Sequence, residues 1–387
     1  MHSLAREVGK AKRMDTGIAQ YPTEKLYNEL KKRHQHYDIY DPEANFYDRF
    51  IDETQSTAVT ALQEEIDALN LEIAQLQADL LKRRRMIYYP YFRGRQFDLR
   101  ALTQFAATDY ADIVPVIEPV KDLNALPKTI AAFTTANRPL AIIQNPQVGH
   151  YQYQAQQRYP INAVLDAVNI VPAFVLTPLL PPETLAANPR ALIIVQHFDD
   201  LRLFIQRGWL PETAPLLAPP EARTRQLLQG RQFGHIFDHF PFPEHSADFE
   251  NMTDSFYADD ITFAHQYGET GFSDFLTLGH TYSEQGHPSR AVTLHLTYLK
   301  DAQVRVRHFV SDQHADFSHP KEKFFEALDK AVEWISDQPE ENLTTTTTRL
   351  IALQTTHKFP GMGILKQLMI EHHLAIMSRY LHLRKNG

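Results

Sequence analysis

The chain has 387 residues, 43% of them apolar and 22% charged, which is globular composition and excludes wholesale disorder. It contains no cysteine, so disulfides, Cys-ligated zinc, iron–sulfur clusters and thiol nucleophiles are excluded. A formal net charge of −8 argues against a nonspecific nucleic-acid coat and leaves only a local basic groove open.

Residues 1–13 are polar and basic with no apolar run behind them, unlike a secretory signal. No apolar run of about 18 residues is present, so no membrane-spanning helix is expected and the default is a cytoplasmic protein. Residues 1–85 read as a helical arm carrying a short coiled coil at about 57–84. Val59, Ile66, Ile73 and Leu80 fall at a, and Leu62, Leu69 and Leu76 at d. This pattern favours a parallel homodimer through 59–80; the alternative is one amphipathic helix packed on its own domain. The cationic run Lys82 to Arg85 suits the negative end of that helix.

From Met86 the period changes. Strands are expected over 87–92, 113–120, 140–144, 171–176, 191–198 and 235–240, with a weaker one over 214–218. Helices are expected over 96–107, 126–135, 161–168, 183–187, 201–207, 223–229, 321–335 and 363–383. A helical turn is expected over 271–278, a hairpin over 291–299 and 304–310, and an insertion at about 241–271. The Thr344–Thr348 run reads as a loop tip or a strained helix start. The alternation predicts an α/β domain over 86–387: a (β/α)8 TIM-barrel-like fold whose last unit is the hairpin, followed by C-terminal helices. An open doubly wound sheet is the alternative.

Tyr89-Pro-Tyr-Phe-Arg-Gly-Arg-Gln-Phe97, Val114-Pro-Val-Ile-Glu-Pro-Val-Lys121 and Ile142-Ile-Gln-Asn-Pro-Gln-Val-Gly149 resemble the uncharacterised bacterial sce-seventy-seven-twenty-five family. Gly271-Phe-Ser-Asp-Phe275, the 282–296 stretch, His308-Phe-Val-Ser-Asp312 and 368–380 extend the resemblance over Met86 to Gly387, leaving 1–85 uncovered. The resemblance implies no reaction. It implies a setting in phage defence or mobile elements, beside a small companion that resembles a PD-(D/E)XK nuclease.

Barrel ligands meet residues at the carboxyl ends of strands. Arg93, Glu118, Lys121, Asn145, His197 and Asp238 fall at such ends. The hairpin carries His295, and Asp274 follows the insertion. The pattern suits a metal-assisted hydrolase acting on a phosphorylated or otherwise anionic substrate. Glu118, Asp238 and Asp274 would hold a divalent ion or act as base. His197 or His295 would move protons, and Arg93, Lys121 and Asn145 would bind substrate. Glu118-x-x-Lys121 is not the nuclease pair, because two intervening residues put the side chains on opposite strand faces. His235 and His239 share a strand face, but in a straight strand they stand about 13 Å apart, too far to share an ion without a turn. His372 and His373 read as packing residues within a helix. A noncatalytic recognition or scaffold subunit, presenting Phe256, Tyr257, Phe263 and Tyr267 to a nuclease-like partner, is the second reading. A sugar-processing barrel is a third.

Overall fold

In the computed structural model the chain is described over residues 59–72, 86–153, 156–241, 243, 246–284 and 290–383. Packing divides it into two units, Met1–Gln77 and Ala78–Gly387. In the first, a helix covers 59–72; its seam residues Val59, Ile66 and Leu69 are half-buried and Leu62 is exposed. The remaining expected heptad positions, Ile73, Leu76 and Leu80, lie outside the described residues, as does the cationic run from Lys82 to Arg85.

The second unit is built on a curled parallel sheet flanked by helices. Its strands are β1 (Ile87–Tyr88), β2 (Tyr91–Phe92), β3 (Val116–Ile117), β4 (Leu140–Ile143), β5 (Ile170–Leu176), β6 (Leu192–Val195), β7 (Leu216–Ala218), β8 (Phe233–Ile236) and β10 (Gly271–Ser273). They run in the order β1-β10-β8-β7-β6-β5-β4-β3-β2, all neighbours parallel. As a set of paired strands this is a nine-stranded half-barrel with two ends. Those ends, β1 and β2, are consecutive in the chain, parted by Tyr89 and Pro90. The stretch bonds on both sides: Tyr89 and Tyr91 N–H donate to Phe272 and Asp274 carbonyls, while Val114, Val116 and Glu118 N–H donate to Tyr88, Pro90 and Phe92 carbonyls.

Alternation along the strands sorts side chains onto two faces. Tyr91, Val116, Ala141, Ile143, Ala173, Val175, Leu192, Ile194 and Leu217 pack only with one another and with further strand or strand-end residues, forming the concave interior. Tyr88, Phe92, Ile117, Leu140, Ile142 and Phe272 point outward and pack with helical residues such as Leu99, Leu102, Ile130 and Phe133. Burial on both faces is why these strands read as continuous apolar runs. Gly271 allows close approach: a Cβ there would lie 2.6 Å from the Ile87 carbonyl and 2.9 Å from the Tyr89 ring.

Helices α1 (Gln96–Phe105), α2 (Ala125–Thr135), α3 (Asn162–Leu165), α4 (Pro182–Ala187), α5 (Phe198–Gln206) and α6 (Ala222–Leu227) alternate with the strands, as expected. The insertion is structured rather than a loop. It holds a 3₁₀ turn (Ser246–Asn251), β9 (Asp254–Ala258), helix α7 (Asp260–Phe263) and a second 3₁₀ turn (Ala264–Tyr267).

Two expectations are corrected. The 271–278 segment is not a helical turn throughout: Gly271–Ser273 is β10, which pairs with β8 and β1. The hairpin, β11 (Thr293–Lys300) and β12 (Gln303–Val310), is not a unit of the parallel sheet. It pairs antiparallel with β9 in a separate three-stranded sheet, because the insertion supplies the matching edge. Helices α8 (Pro320–Ser336), α9 (Thr345–Thr355) and α10 (Met362–Leu383) follow. The threonine run is the start of α9, with Thr344, Thr346 and Thr347 buried, where Thr344 caps the helix and exchanges hydrogen bonds with Thr347. Helix α10 packs against both α1 and β11, so it ties the outer wall of the parallel sheet to the second sheet.

Candidate functional site

The two sheet faces carry two polar clusters. On the concave face, the strand ends bring together Tyr91, Arg93, Glu118 and Asp238. Glu118 is fully buried. Its Oε2 accepts from the Tyr91 hydroxyl at 2.7 Å and from Arg93 Nη1; its Oε1 accepts from the Gln147 and Val148 N–H groups at 2.5 and 3.2 Å. Arg93 also donates to the His280 carbonyl at 2.9 Å and lies over the Tyr91 and Phe275 rings. Gly94 makes this turn possible with φ +57°; a Cβ there would meet the Glu118 carbonyl at 2.8 Å. Asp238 is held by His280, whose backbone N–H and Nδ1 stand 2.7 and 2.6 Å from its Oδ2. Asn145 bonds both backbone groups of Val175, accepting from its N–H at 2.9 Å and donating to its carbonyl at 2.8 Å. Each carboxylate and carboxamide expected to act here is thus engaged by protein donors.

On the outer face, behind β1, β10 and β8, a second cluster is buried. Strand β8 ends at Ile236, and the chain turns so that the His235 and His239 rings stand 6.4 Å apart. His235 Nδ1 is 2.5 Å from Glu269 Oε2, and Arg225 Nε donates to the other Glu269 oxygen at 2.8 Å. His235 Nε2 is 2.9 Å from Asp260 Oδ1, and His239 Nε2 is 3.3 Å from Asp260 Oδ2. Helix α7 presents Asp260 and the segment before β10 presents Glu269.

The neighbouring Asp274 is fully buried. Its Oδ1 accepts from the Tyr88 hydroxyl at 2.6 Å and the Leu276 N–H at 2.9 Å. The Tyr88 oxygen also lies 3.0 Å from His373 Nε2, whose Nδ1 is 2.9 Å from Thr297 Oγ1. This fixes Oδ1 and leaves Oδ2. Four buried atoms here lack a well-aligned hydrogen bond, Asp274 Oδ2, Tyr257 OH, His239 Nε2 and Asp260 Oδ2, although Tyr257 stands beside Asp274 and His239 Nε2 is 3.3 Å from Asp260 Oδ2. Such atoms are costly unless something meets them.

The electrostatics follow. Burial alone would push the His235 imidazole down, but its bonds to Asp260 and Glu269 win and raise it to about 9. Burial would raise the Asp260 carboxyl; His235 and His239 overcome that and hold it below the usual range. Burial lifts Asp274 to about 6 against the lowering pull of Tyr88, His239, the Leu276 N–H and Tyr257. Tyr88 and Tyr257 are raised well above their ordinary value, by burial first and Asp274 second.

The expected site residues therefore do not converge in one pocket. Arg93, Glu118, Asn145 and Asp238 lie at the concave strand ends, and Asp274 lies behind the sheet. His197 is exposed at the start of α5, and Lys121 is exposed. His295 sits on β11 of the second sheet, its Nδ1 2.7 Å from His308 Nδ1, while His308 Nε2 is 2.8 Å from Ser255 Oγ. Burial keeps both imidazoles neutral, His308 at about 4 and His295 well below its ordinary value.

Sequence reasoning singled out Asp260 only as an acid of the insertion and not as a partner of His235 and His239; it missed Glu269 on His235, Arg225 behind Glu269, and Tyr88 and Tyr257 beside Asp274. The one available signal was the His235–His239 spacing, which a turn was needed to close. Tyr257, expected in an exposed aromatic surface, is fully buried, whereas Phe256, Phe263 and Tyr267 are exposed, with Phe237 beside them in sequence to His239. No protein-family model matches the chain, and a search of curated proteins finds no match. Among the described residues no helix is long and apolar enough to cross a membrane.

Proposed function

We propose that the chain is a metal-assisted hydrolase of a phosphorylated or otherwise anionic substrate, with its centre at the outer-face cluster rather than at the concave strand ends. One observation carries this reading: His235, His239, Asp260 and Asp274 gather in one buried region, where His239 and Asp260 face each other without an aligned hydrogen bond, while the Glu118 carboxylate is saturated by four donors. In this reading Asp274, with Oδ1 held by Tyr88 and Leu276, offers Oδ2 as the general base toward water. The test is hydrolysis of aryl phosphate mono- and diesters with divalent ions, comparing wild type with Asp274→Asn and His197→Ala. General-base loss predicts at least about a hundredfold fall for Asp274→Asn and no change for His197→Ala. No hydrolysis, or hydrolysis indifferent to Asp274→Asn, overturns the assignment.

In this reading the sheet closes into a (β/α)8 ring, with β1 and β2 as halves of one strand. Hydrogen bonds from 87–92 to β10 on one side and to the β3 segment on the other support this. The resemblance of these segments supports membership of the sce-seventy-seven-twenty-five family, a setting in phage defence or mobile elements, and a nuclease-like companion. Exposed Phe237, Phe256, Phe263 and Tyr267 favour a second reading, in which the insertion recognises that companion without catalysis. Co-purification with the companion, lost in a Phe256→Ser, Phe263→Ser double variant, supports it; retention in that variant refutes it. The heptad seam supports a homodimer through 59–80.

A further inference from the structure

We infer that His235, His239 and Asp260 form a mononuclear site for a borderline divalent cation of the zinc type. The inference deepens the hydrolase reading and rests on it only for what the ion would do once bound. One ligand atom from each residue lies within 4.8 Å of the others. Bonds of about 2.0–2.1 Å to a tetrahedral ion place ligand atoms roughly 3.4 Å apart. The two separations to Asp260, 2.9 Å to Oδ1 and 3.3 Å to Oδ2, both lie just below that edge.

The donor set selects the ion. Two imidazole nitrogens and one carboxylate suit zinc and its first-row neighbours; magnesium and calcium prefer all-oxygen shells. Three protein ligands leave a position for water, the pattern of catalytic rather than structural sites. The surroundings are also those of a metal centre. Glu269 holds His235 by Nδ1, which orients the ring and leaves Nε2 for the ion, and Arg225 in turn fixes Glu269. The second observation is that buried His239 Nε2 and Asp260 Oδ2 face each other at 3.3 Å as an ion pair without the alignment of a hydrogen bond. A cation between them satisfies both. The ring of fully buried Tyr257 lies 5.5 Å from that of His239, with its hydroxyl beside Asp274.

The full-length chain, stripped with chelator, is titrated with Co²⁺ and then with Zn²⁺. The expected result is one equivalent of Co²⁺ with the intense visible band of a four-coordinate ion, displaced by Zn²⁺. His239→Ala and Asp260→Asn each weaken binding by at least tenfold, with a cooperative melting transition retained. X-ray absorption of the Zn²⁺-loaded wild type, which needs no variant, shows two imidazoles in the first shell. Absence of the band, a band unchanged in both variants, or fewer than two imidazoles around zinc overturns the site and leaves an ion-paired cluster only. Binding as expected with no hydrolysis of any phosphate ester keeps this site and removes the hydrolase reading.

Discussion

Glu118 separates a structural carboxylate from a catalytic one. It is completely buried and its side chain accepts from Tyr91, Arg93, Gln147 and Val148. Glu118→Ala strands the Arg93 guanidinium, whose side chain is 12% exposed, and leaves two backbone N–H groups without an acceptor. Breaking one partner of a buried pair costs about 3–5 kcal/mol. In a unit of this size each kcal/mol moves the melting temperature by about 2 °C, so a fall of roughly 6–10 °C is expected. Replacing both partners, Arg93→Met with Glu118→Leu, removes the uncompensated charge, so the double variant should melt above Glu118→Ala. Calorimetry on wild type, both single variants and the double variant measures this cycle. An unchanged melting temperature in Glu118→Ala, or a double variant no better than the single, would refute the structural assignment. So would an intact fold that has lost divalent-ion binding.

His372, 1% exposed, is bonded between Thr344 Oγ1 at 2.8 Å and the Thr297 carbonyl at 2.7 Å. Burial chiefly, with Arg379, pushes it from 6.5 to about 4 against the raising bond to Thr297. A depressed folded value means stability falls as pH drops from 6.5 toward 4, by about 2 kcal/mol at pH 5. Urea melts of wild type and His372→Gln at pH 7.5 and 5 should show a smaller pH loss in the variant; equal losses would sink the argument. Gly271→Ala drives a methyl against the Ile87 carbonyl, so it should destabilise by about 1–3 kcal/mol in the same melts. If residues 59–80 pair two chains, Ile66→Asp converts a dimer to a monomer by light scattering, while a monomeric wild type removes the coiled-coil reading.

The architecture of residues 86–383 was largely legible because its signal is local. Strands buried on both faces, such as β4 and β6, are short runs of Leu, Ile, Val and Ala, and amphipathic α8 buries Phe324, Ala327, Leu328, Ala331 and Ile335 at helical spacing. Where a strand is three residues long, as β10 is, the run is too short to show its period, and it reads as a turn. The second sheet was half legible: β11 and β12 meet through a tight turn, but β9 joins them from about 50 residues away, as in the pair Arg305–Asp254.

The candidate site shows the same division. The chemistry of His235 and His239 stands in the sequence, and a straight strand keeps them apart. Only the folded chain ends β8 at Ile236 and turns there. It brings Glu269 from 34 residues away onto His235, lays α7 so that Asp260 reaches both rings, and sets Arg225 behind Glu269. Periodicity fixes which residues share a face, because each side chain's direction follows from its own backbone. Which polar atoms on that face find partners depends on segments whose approach is set by packing across the whole sheet. Hence the sequence alone specified strands, helices and the concave strand ends, and tertiary structure decided that His235, His239, Asp260 and Asp274 gather behind them.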